Sequence, residues 1–185
     1  YGFLSHAWKW NFLNAWRLEA ERLHRRGLPA LHWRNELIWW YGLSLSIATA
    51  MTWAFGWLGL LFFAGQSFVA FTELEIINYV EHYGLHRRRR ADGRYERTTH
   101  QHSWNSSYMV TNLFLFQLQR HSDHHAHPAR RYQVLRHFDD SPQLPGGYAA
   151  MVLLALVPPL WRRVMDPRVE AYYRNEMEQL ESASL

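Results

Sequence analysis

Three histidines lie within five residues in the second half of the chain. His121, His124 and His125 form the pattern H-x-x-H-H, and on a helix the positions i, i+3 and i+4 share one face. Three imidazoles that converge on one point are typical of a site for Zn, Cu, Fe or Ni. Asp123 lies between them and could orient a ligating ring by accepting its second N–H. The pattern therefore predicts a metal site.

The natural fourth ligand is His82, which ends a long apolar stretch. It shares a helical face with Glu75 and Asn78, and carboxylates in an apolar membrane helix are costly and normally point into a protein interior. Glu75 and Glu81 are candidate carboxylates for the site. His86, one turn after His82, is a weaker candidate because it lies among arginines.

Four imidazoles at the end of an apolar helix fit two chemistries. One is zinc with an activated water, as in hydrolases, and the other is non-haem iron that handles O₂. The spacing does not choose between them, but an apolar setting favours a lipid-soluble substrate and hence iron-dependent oxidation. Cysteine is absent from the 185 residues, which excludes a thiolate zinc site or an iron–sulfur cluster held by this chain.

The element that must position His82 is a run of residues without charge. No Asp, Glu, Lys or Arg occurs from Leu37 to Thr72, which is too long for one span of about 20 residues and slightly short for two. Gly56 and Gly59 predict a break, so we expect two transmembrane helices, over 33–55 and 57–83. The mean hydropathy of −0.37 indicates a large polar part as well.

The fold class predicted is all-α: a membrane helical protein with about two transmembrane helices in this chain and a histidine-rich cytosolic cap. We expect an amphipathic helical segment over 1–34, two transmembrane helices over 35–83, a catalytic cap with interfacial segments over 84–169, and a frayed tail over 170–185. Within the cap, the apolar-rich residues 105–125 predict one helix buried among other elements. The apolar stretch 148–161 predicts an interfacial segment.

Four arginines follow the second predicted span: Arg87, Arg88, Arg89 and Arg90. Under the positive-inside rule this end of the helix is cytoplasmic. The position beside a helix exit favours contact with lipid headgroups or an acidic protein partner over binding to nucleic acid.

Two segments resemble signature boxes of the bacterial integral-membrane alkane 1-monooxygenases. They are Asn78-Tyr-Val-Glu-His-Tyr-Gly-Leu85 and Leu118-Gln-Arg-His-Ser-Asp-His-His-Ala126. Shorter matches include His102-Ser-Trp-Asn-Ser106 and Pro158-Pro-Leu-Trp-Arg-Arg-Val-Met-Asp166, and the resemblance extends over nearly the whole chain after about Trp16.

The resemblance implies a multi-pass enzyme of the bacterial inner membrane whose active site faces the cytoplasm. Such an enzyme holds two non-haem iron ions and uses O₂ and electrons from rubredoxin to hydroxylate the terminal carbon of a medium- or long-chain alkane. Carried over by motif, the iron ligands are His82, His121, His124 and His125. Glu81, Asp123 and Asn105 would support the ligands, and Arg87–Arg90 would form a dock for an acidic rubredoxin.

The family carries two earlier histidine boxes, H-E-x-x-H and E-H-x-x-x-H-H, and neither occurs in this sequence, which opens with Tyr1. We therefore expect a C-terminal fragment that supplies part of the ligand set. Two alternatives stay open. One is a related membrane oxygenase or desaturase that acts on another lipid-like substrate, and the other is a truncated, metal-poor membrane protein without catalytic function.

Overall fold

The computed structural model describes residues 2–183, with the side chains of residues 2–175 and 177. The helices are α1 (Gly2–His24), α2 (Glu36–His82), α3 (Met109–Phe114), α4 (His121–Ala126), α5 (Tyr148–Ala155) and α6 (Pro158–Ala183), with a 3₁₀ turn at Tyr132–Val134. Within residues 2–183, β pairing is limited to two isolated bridges, Arg89 with Tyr95 and Asn105 with Gln143. The predicted all-α class is confirmed.

α2 is the one described helix that is long and apolar enough to cross a membrane. Asn35 caps its first turn, since its side-chain oxygen accepts a hydrogen bond of 2.9 Å from the Leu37 amide. The helix is interrupted at Gly56, which has φ +66° and ψ −157°. A Cβ on Gly59 would overlap the carbonyl oxygen of Met51. In a continuous helix these two residues would lie about 12 Å apart along the axis. The predicted break is therefore present, while the number of spans stays a prediction.

The chain forms two compact units, Tyr1–Glu75 and Ile76–Leu185. In the first unit, α1 lies against α2: the Trp8 ring contacts the rings of Phe68 and Phe71 with centroids 5.2 and 5.5 Å apart. The Asn11 side-chain amide donates a 2.7 Å hydrogen bond to the Glu75 carboxylate. The sequence suggested Glu75 as a carboxylate of the metal site. In the structure its carboxylate is hydrogen-bonded to a residue of α1 instead.

The second unit is built on a buried apolar cluster. Its members come from the last turns of α2, the loop before α3, the segment before α5, and helices α5 and α6: Val80, Trp104, Leu144, Tyr148, Met151, Trp161 and Met165. The Tyr148 hydroxyl donates to the Trp104 carbonyl oxygen at 3.2 Å. Because this cluster packs around the end of α2, it fixes the position of His82, the last residue of the helix.

The prediction of one helix over 105–125 is wrong. The structure has the short helices α3 and α4 instead, and the chain between them contains Phe116 and Gln117 at φ +50° and +59°, in the left-handed region that breaks a helix. The turn lets the Ser106 amide donate to the Gln119 carbonyl oxygen at 3.0 Å. α3 is also exposed rather than buried, with Phe114 76% accessible.

The end of the chain also differs from the prediction. The tail expected to be frayed over 170–185 continues α6 through Ala183, because its Glu, Arg, Met, Gln and Leu residues have high helix propensity. Ser184 and Leu185 lie outside the described residues. The predicted interfacial segment 148–161 consists of α5 and the first turn of α6, which begins at Pro158, a favoured residue for the first helical position.

We expect Gly84→Ala to destabilise the second unit by about 1–2 kcal/mol, the cost of a left-handed conformation for an L-residue, plus a packing penalty. Gly84 lies in the turn after α2 with φ +71°, and a Cβ there would lie 2.6 Å from Cγ2 of Val169. Thermal unfolding in detergent measures the loss. Gly42→Ala is the matched control, because a Cβ at that helical glycine meets nothing within 4 Å. Equal unfolding temperatures for the two variants would contradict the prediction.

Candidate metal centre

Three of the four predicted ligands come together at the end of α2. His82 lies in its last turn, His121 and His125 lie one turn apart on α4, and each offers a ligand atom within 4.8 Å of the others. The ring centroids are 5.4 Å apart for His82 and His121, 5.1 Å for His82 and His125, and 4.3 Å for His121 and His125. Donors at this spacing could hold one metal ion.

The His121 ring is buried and its nitrogens have no hydrogen-bond partner among the described residues. Nε2 lies 3.0 Å from a carboxylate oxygen of Glu81, but the orientation is not that of a hydrogen bond. A buried polar atom without a partner is costly, and a metal ion would satisfy the nitrogen that faces the group. The donor set thus fits a metal: histidine nitrogens suit Zn, Cu, Fe and Ni.

The protonation state of the rings also supports metal binding. Burial lowers the pKa of His121 to about 4, with a smaller contribution from the charge of His124. Burial, together with the neighbouring histidines, also lowers the pKa of His125 to about 4, although part of its side chain stays exposed. Both imidazoles are therefore neutral near pH 7, the form in which histidine binds metals.

His124, the other predicted ligand, lies outside this group of three. Its ring is exposed, and its centroid is 5.9 Å from those of His121 and His125. Its position on α4, between two members of the group, keeps it next to the site. Its role as a ligand stays a prediction.

Glu81 lies directly against the candidate ligands. Its side chain is 2% exposed, and Oε2 is the oxygen that faces His121, while Oε1 has no hydrogen-bond partner among the described residues. Its backbone carbonyl accepts a 2.8 Å hydrogen bond from the Trp104 amide. The supporting role of this carboxylate stays a prediction.

Asn105 ties α4 to two other segments. Its side-chain oxygen accepts from the Ser122 amide at 3.0 Å, and its side-chain nitrogen donates to the hydroxyls of Ser122 at 2.6 Å and Ser141 at 2.5 Å. Its own amide donates to the Pro142 carbonyl oxygen at 2.8 Å. The residue is 1% exposed, so it positions the start of α4, and with it His121, from within the protein.

The predicted role of Asp123 as an acceptor for a ligating ring is wrong. Its buried carboxylate accepts two hydrogen bonds from Arg130, at 2.5 and 2.6 Å, and one from the Arg136 amide at 2.8 Å. Its histidine partner is His127, at 3.1 Å, which is not one of the candidate ligands. Burial alone would raise the pKa of Asp123, but the bonds from Arg136 and Arg130 outweigh it and lower the pKa. On a helix, Asp123 points away from the face that carries His121 and His125.

Two polar contacts near the histidine group were not predicted from the sequence. Gln119 is fully buried, and its side-chain oxygen accepts a 2.8 Å hydrogen bond from the Tyr148 amide at the start of α5. The carbonyl oxygen of His102 lies 3.2 Å from Nδ1 of His82. Apolar periodicity carries no signal for such polar groups, because their partners lie far away in the sequence.

The four consecutive arginines lie in a short hairpin beyond α2. The hairpin is closed by the Arg89–Tyr95 bridge. The Arg87 guanidinium lies over the Tyr95 ring, 5.4 Å from its centroid, and the four arginine side chains are exposed. His86 is exposed as well and is not part of the three-histidine group. The arginines therefore offer a positive surface at the end of the apolar helix.

Metal binding at this group is expected to change little between about pH 8 and pH 6. A proton competes for a ring nitrogen only near its pKa, and the lowered pKa of about 4 for His121 and His125 moves this competition to acid pH. Affinity should therefore fall only below about pH 5, rather than from the ordinary histidine value of about 6.5. Co²⁺ titrations at several pH values measure this, and a loss that begins near pH 6.5 would contradict the prediction.

Comparison with known proteins shows the family to which the chain belongs. A family model described as fatty acid desaturase matches residues 1–155. The chain is 72% identical over 180 residues to alkane 1-monooxygenase 2 of Pseudomonas aeruginosa, covering 97% of this chain and 48% of that protein. It is 49% identical to alkane 1-monooxygenase of Acinetobacter baylyi, covering 89% and 40%. It is 30% identical to the xylene/toluene monooxygenase hydroxylase component of Pseudomonas putida, covering 87% and 42%. The chain spans about half the length of the curated relatives it matches.

Proposed function

Because the chain belongs to the fatty acid desaturase family, we propose that it is the C-terminal part of a membrane di-iron monooxygenase that hydroxylates the terminal carbon of alkanes. The observation that carries the proposal is the meeting of His82, His121 and His125 at the end of the apolar helix α2. The substrate class is supported by relatives named alkane 1-monooxygenase at up to 72% identity.

In this proposal the chain supplies part of the iron ligands: His82, His121, His125 and, beside them, His124. When bound, the two iron ions supply the activation of O₂ that oxidation of an unactivated C–H bond requires. Glu81 holds a carboxylate against His121, and Asn105 fixes the start of α4. An apolar route from the bilayer would bring a hydrocarbon substrate to the site and keep water away from the reacting carbon.

We further propose a multi-pass protein of the bacterial inner membrane with the site on the cytoplasmic side. Arg87–Arg90 follow the end of α2 within a few residues, as the positive-inside rule requires of a cytoplasmic segment. Electrons would come from rubredoxin, and the exposed arginines would attract an acidic partner of this kind.

A product analysis tests the proposed activity. The full-length protein in membranes, with rubredoxin and its reductase, is given octane, a fatty acid and an aromatic hydrocarbon, and we expect 1-octanol as the main product. Products from the other substrates without 1-octanol would favour a related oxygenase, the alternative that the 30% identity to the xylene/toluene monooxygenase supports. No product and no bound iron would favour a non-catalytic membrane protein.

Replacing Arg89 and Arg90 by glutamine is expected to slow reduction by rubredoxin at low ionic strength without loss of iron. The difference should shrink as salt is added, because salt screens attraction between exposed charges. Stopped-flow reduction at several salt concentrations measures it. Arg25→Gln with Arg26→Gln removes the same charge from exposed positions after α1 and is the control. Equal rates for both double variants would contradict docking at Arg87–Arg90.

A further inference from the structure

We propose that Glu96 and His102 form a positioning pair that fixes the ring of His82 for metal binding. The inference rests on the proposed function, since it takes His82 as a metal ligand. The pair lies in the loop between α2 and α3, and neither residue belongs to the three-histidine group.

The first step is the contact to the ligand. Nδ1 of His82 lies 3.2 Å from the backbone carbonyl oxygen of His102. A carbonyl oxygen can only accept, so the contact places the proton of a neutral ring on Nδ1 and leaves the lone pair on Nε2. A second N–H held by a backbone carbonyl is the usual way in which proteins orient a metal-binding histidine.

The second step is what holds His102 itself. The Thr99 amide donates to Nδ1 of His102 at 3.0 Å, so that nitrogen is the acceptor and the proton is on Nε2. Nε2 in turn lies 3.0 Å from Oε1 of Glu96, and this oxygen also accepts the Arg88 amide at 2.7 Å. The His102 side chain is 13% exposed and the Glu96 side chain 29% exposed, so the pair is largely shielded from water.

The third step is the attachment of the same loop to the end of α2. The Trp104 amide donates to the Glu81 carbonyl at 2.8 Å, and the Trp104 indole N–H donates to the Tyr83 carbonyl at 2.7 Å. These bonds satisfy backbone oxygens that the end of a helix leaves without partners. The His102 carbonyl therefore has little freedom as long as the His102 ring stays bound to Glu96.

The arrangement also joins the arginine hairpin to the metal centre. Glu96 accepts from the backbone of Arg88 on one side and from the ring of His102 on the other. One chain of hydrogen-bonded residues thus leads from the hairpin to His82. The pair acts through His82, so its function is positioning and not catalysis.

The test uses Co²⁺ binding to the full-length protein in nanodiscs. We expect Glu96→Gln and His102→Asn each to weaken Co²⁺ binding by about 10–100-fold, the usual effect of losing a group that orients a metal ligand. Both should also shift the visible absorption spectrum of bound Co²⁺, which a merely structural loss would not. The double variant should be little worse than either single one, because the two residues act as one unit.

The chain offers a matched control whose histidine lies in the same loop. His100 pairs with Asp140 at 2.8 Å, again a histidine and a carboxylate, and no contact of this pair with His82 occurs among the described residues. Asp140→Asn should leave Co²⁺ affinity and spectrum within about twofold of wild type. Equal weakening in Asp140→Asn and Glu96→Gln would overturn the inference, because it would show a general effect on the loop.

His82→Ala separates this inference from the proposed function. If His82→Ala weakens Co²⁺ binding while Glu96→Gln and His102→Asn bind as wild type does, the positioning pair is refuted and the metal centre stands. If His82→Ala itself binds Co²⁺ like wild type, the proposed metal centre fails, and the inference fails with it.

Discussion

Replacing His121 by alanine in the full-length protein is expected to remove most of the bound iron and to abolish hydroxylation of octane. Among the candidate ligands, His121 is the most deeply buried, at 8% exposure, and its ring nitrogens have no hydrogen-bond partner among the described residues. Alanine removes a donor that no neighbouring side chain replaces. A small cavity beside Glu81 would remain, and water could enter it.

The measurement is iron content by elemental analysis, made on the same preparation as the activity assay. His137→Ala is the control, because that ring pairs with the fully exposed Asp139 and with the hydroxyl of Ser107. It should keep both iron and activity. A His121→Ala protein that is folded and carries iron at the wild-type level would refute the role of His121 as a ligand.

The sequence predicts the meeting of two distant segments better than the shape of the segments themselves. His82 and His121 are 39 positions apart, and the closeness of their rings follows from the need of a metal ion for several donors. The spacing of His121 and His125 by four residues places them on one face of any helix, even one as short as α4. The closeness of these three rings could therefore be predicted without the correct helix boundaries.

The break between α3 and α4 could not be predicted in the same way. The segment around Phe116 and Gln117 contains neither Gly nor Pro, the usual signals of a break. The left-handed turn is stabilised by contacts with distant residues, such as the bond between the Gln119 side chain and the Tyr148 amide. Local propensity does not contain this information, because the bond exists only when α5 is in place.

The role of Asp123 was misassigned for a related reason. The sequence shows it among three histidines, whereas its ion-pair partner, Arg130, follows after Pro128 in an irregular segment. Proximity in sequence suggested a candidate ligand as the partner, and the folded chain brings Arg130, the Arg136 amide and His127 to the carboxylate instead. The carboxylate therefore stabilises the segment that carries the candidate ligands without touching them.

Asp123→Asn is accordingly expected to destabilise the second unit by about 3 kcal/mol, the lower end of the cost of breaking a buried ion pair. The Asp123 side chain is 0% exposed and Arg130 is 18% exposed, so the guanidinium would lose its counter-charge without regaining full hydration. An asparagine has one acceptor oxygen where the carboxylate has two, and it cannot serve Arg130 twice and the Arg136 amide as well. The midpoint of thermal unfolding should fall by roughly 6–12 °C.

Asp139→Asn is the matched control, since that carboxylate is fully exposed and pairs with His137. It should shift the midpoint by no more than about 2 °C. Adding Arg130→Gln to Asp123→Asn should recover part of the lost stability, because the uncompensated charge is then gone.

Iron content should fall in Asp123→Asn only to the extent that the protein unfolds, whereas His121→Ala loses iron while folded. An Asp123→Asn protein with wild-type stability and no iron would instead make Asp123 a direct support of the metal.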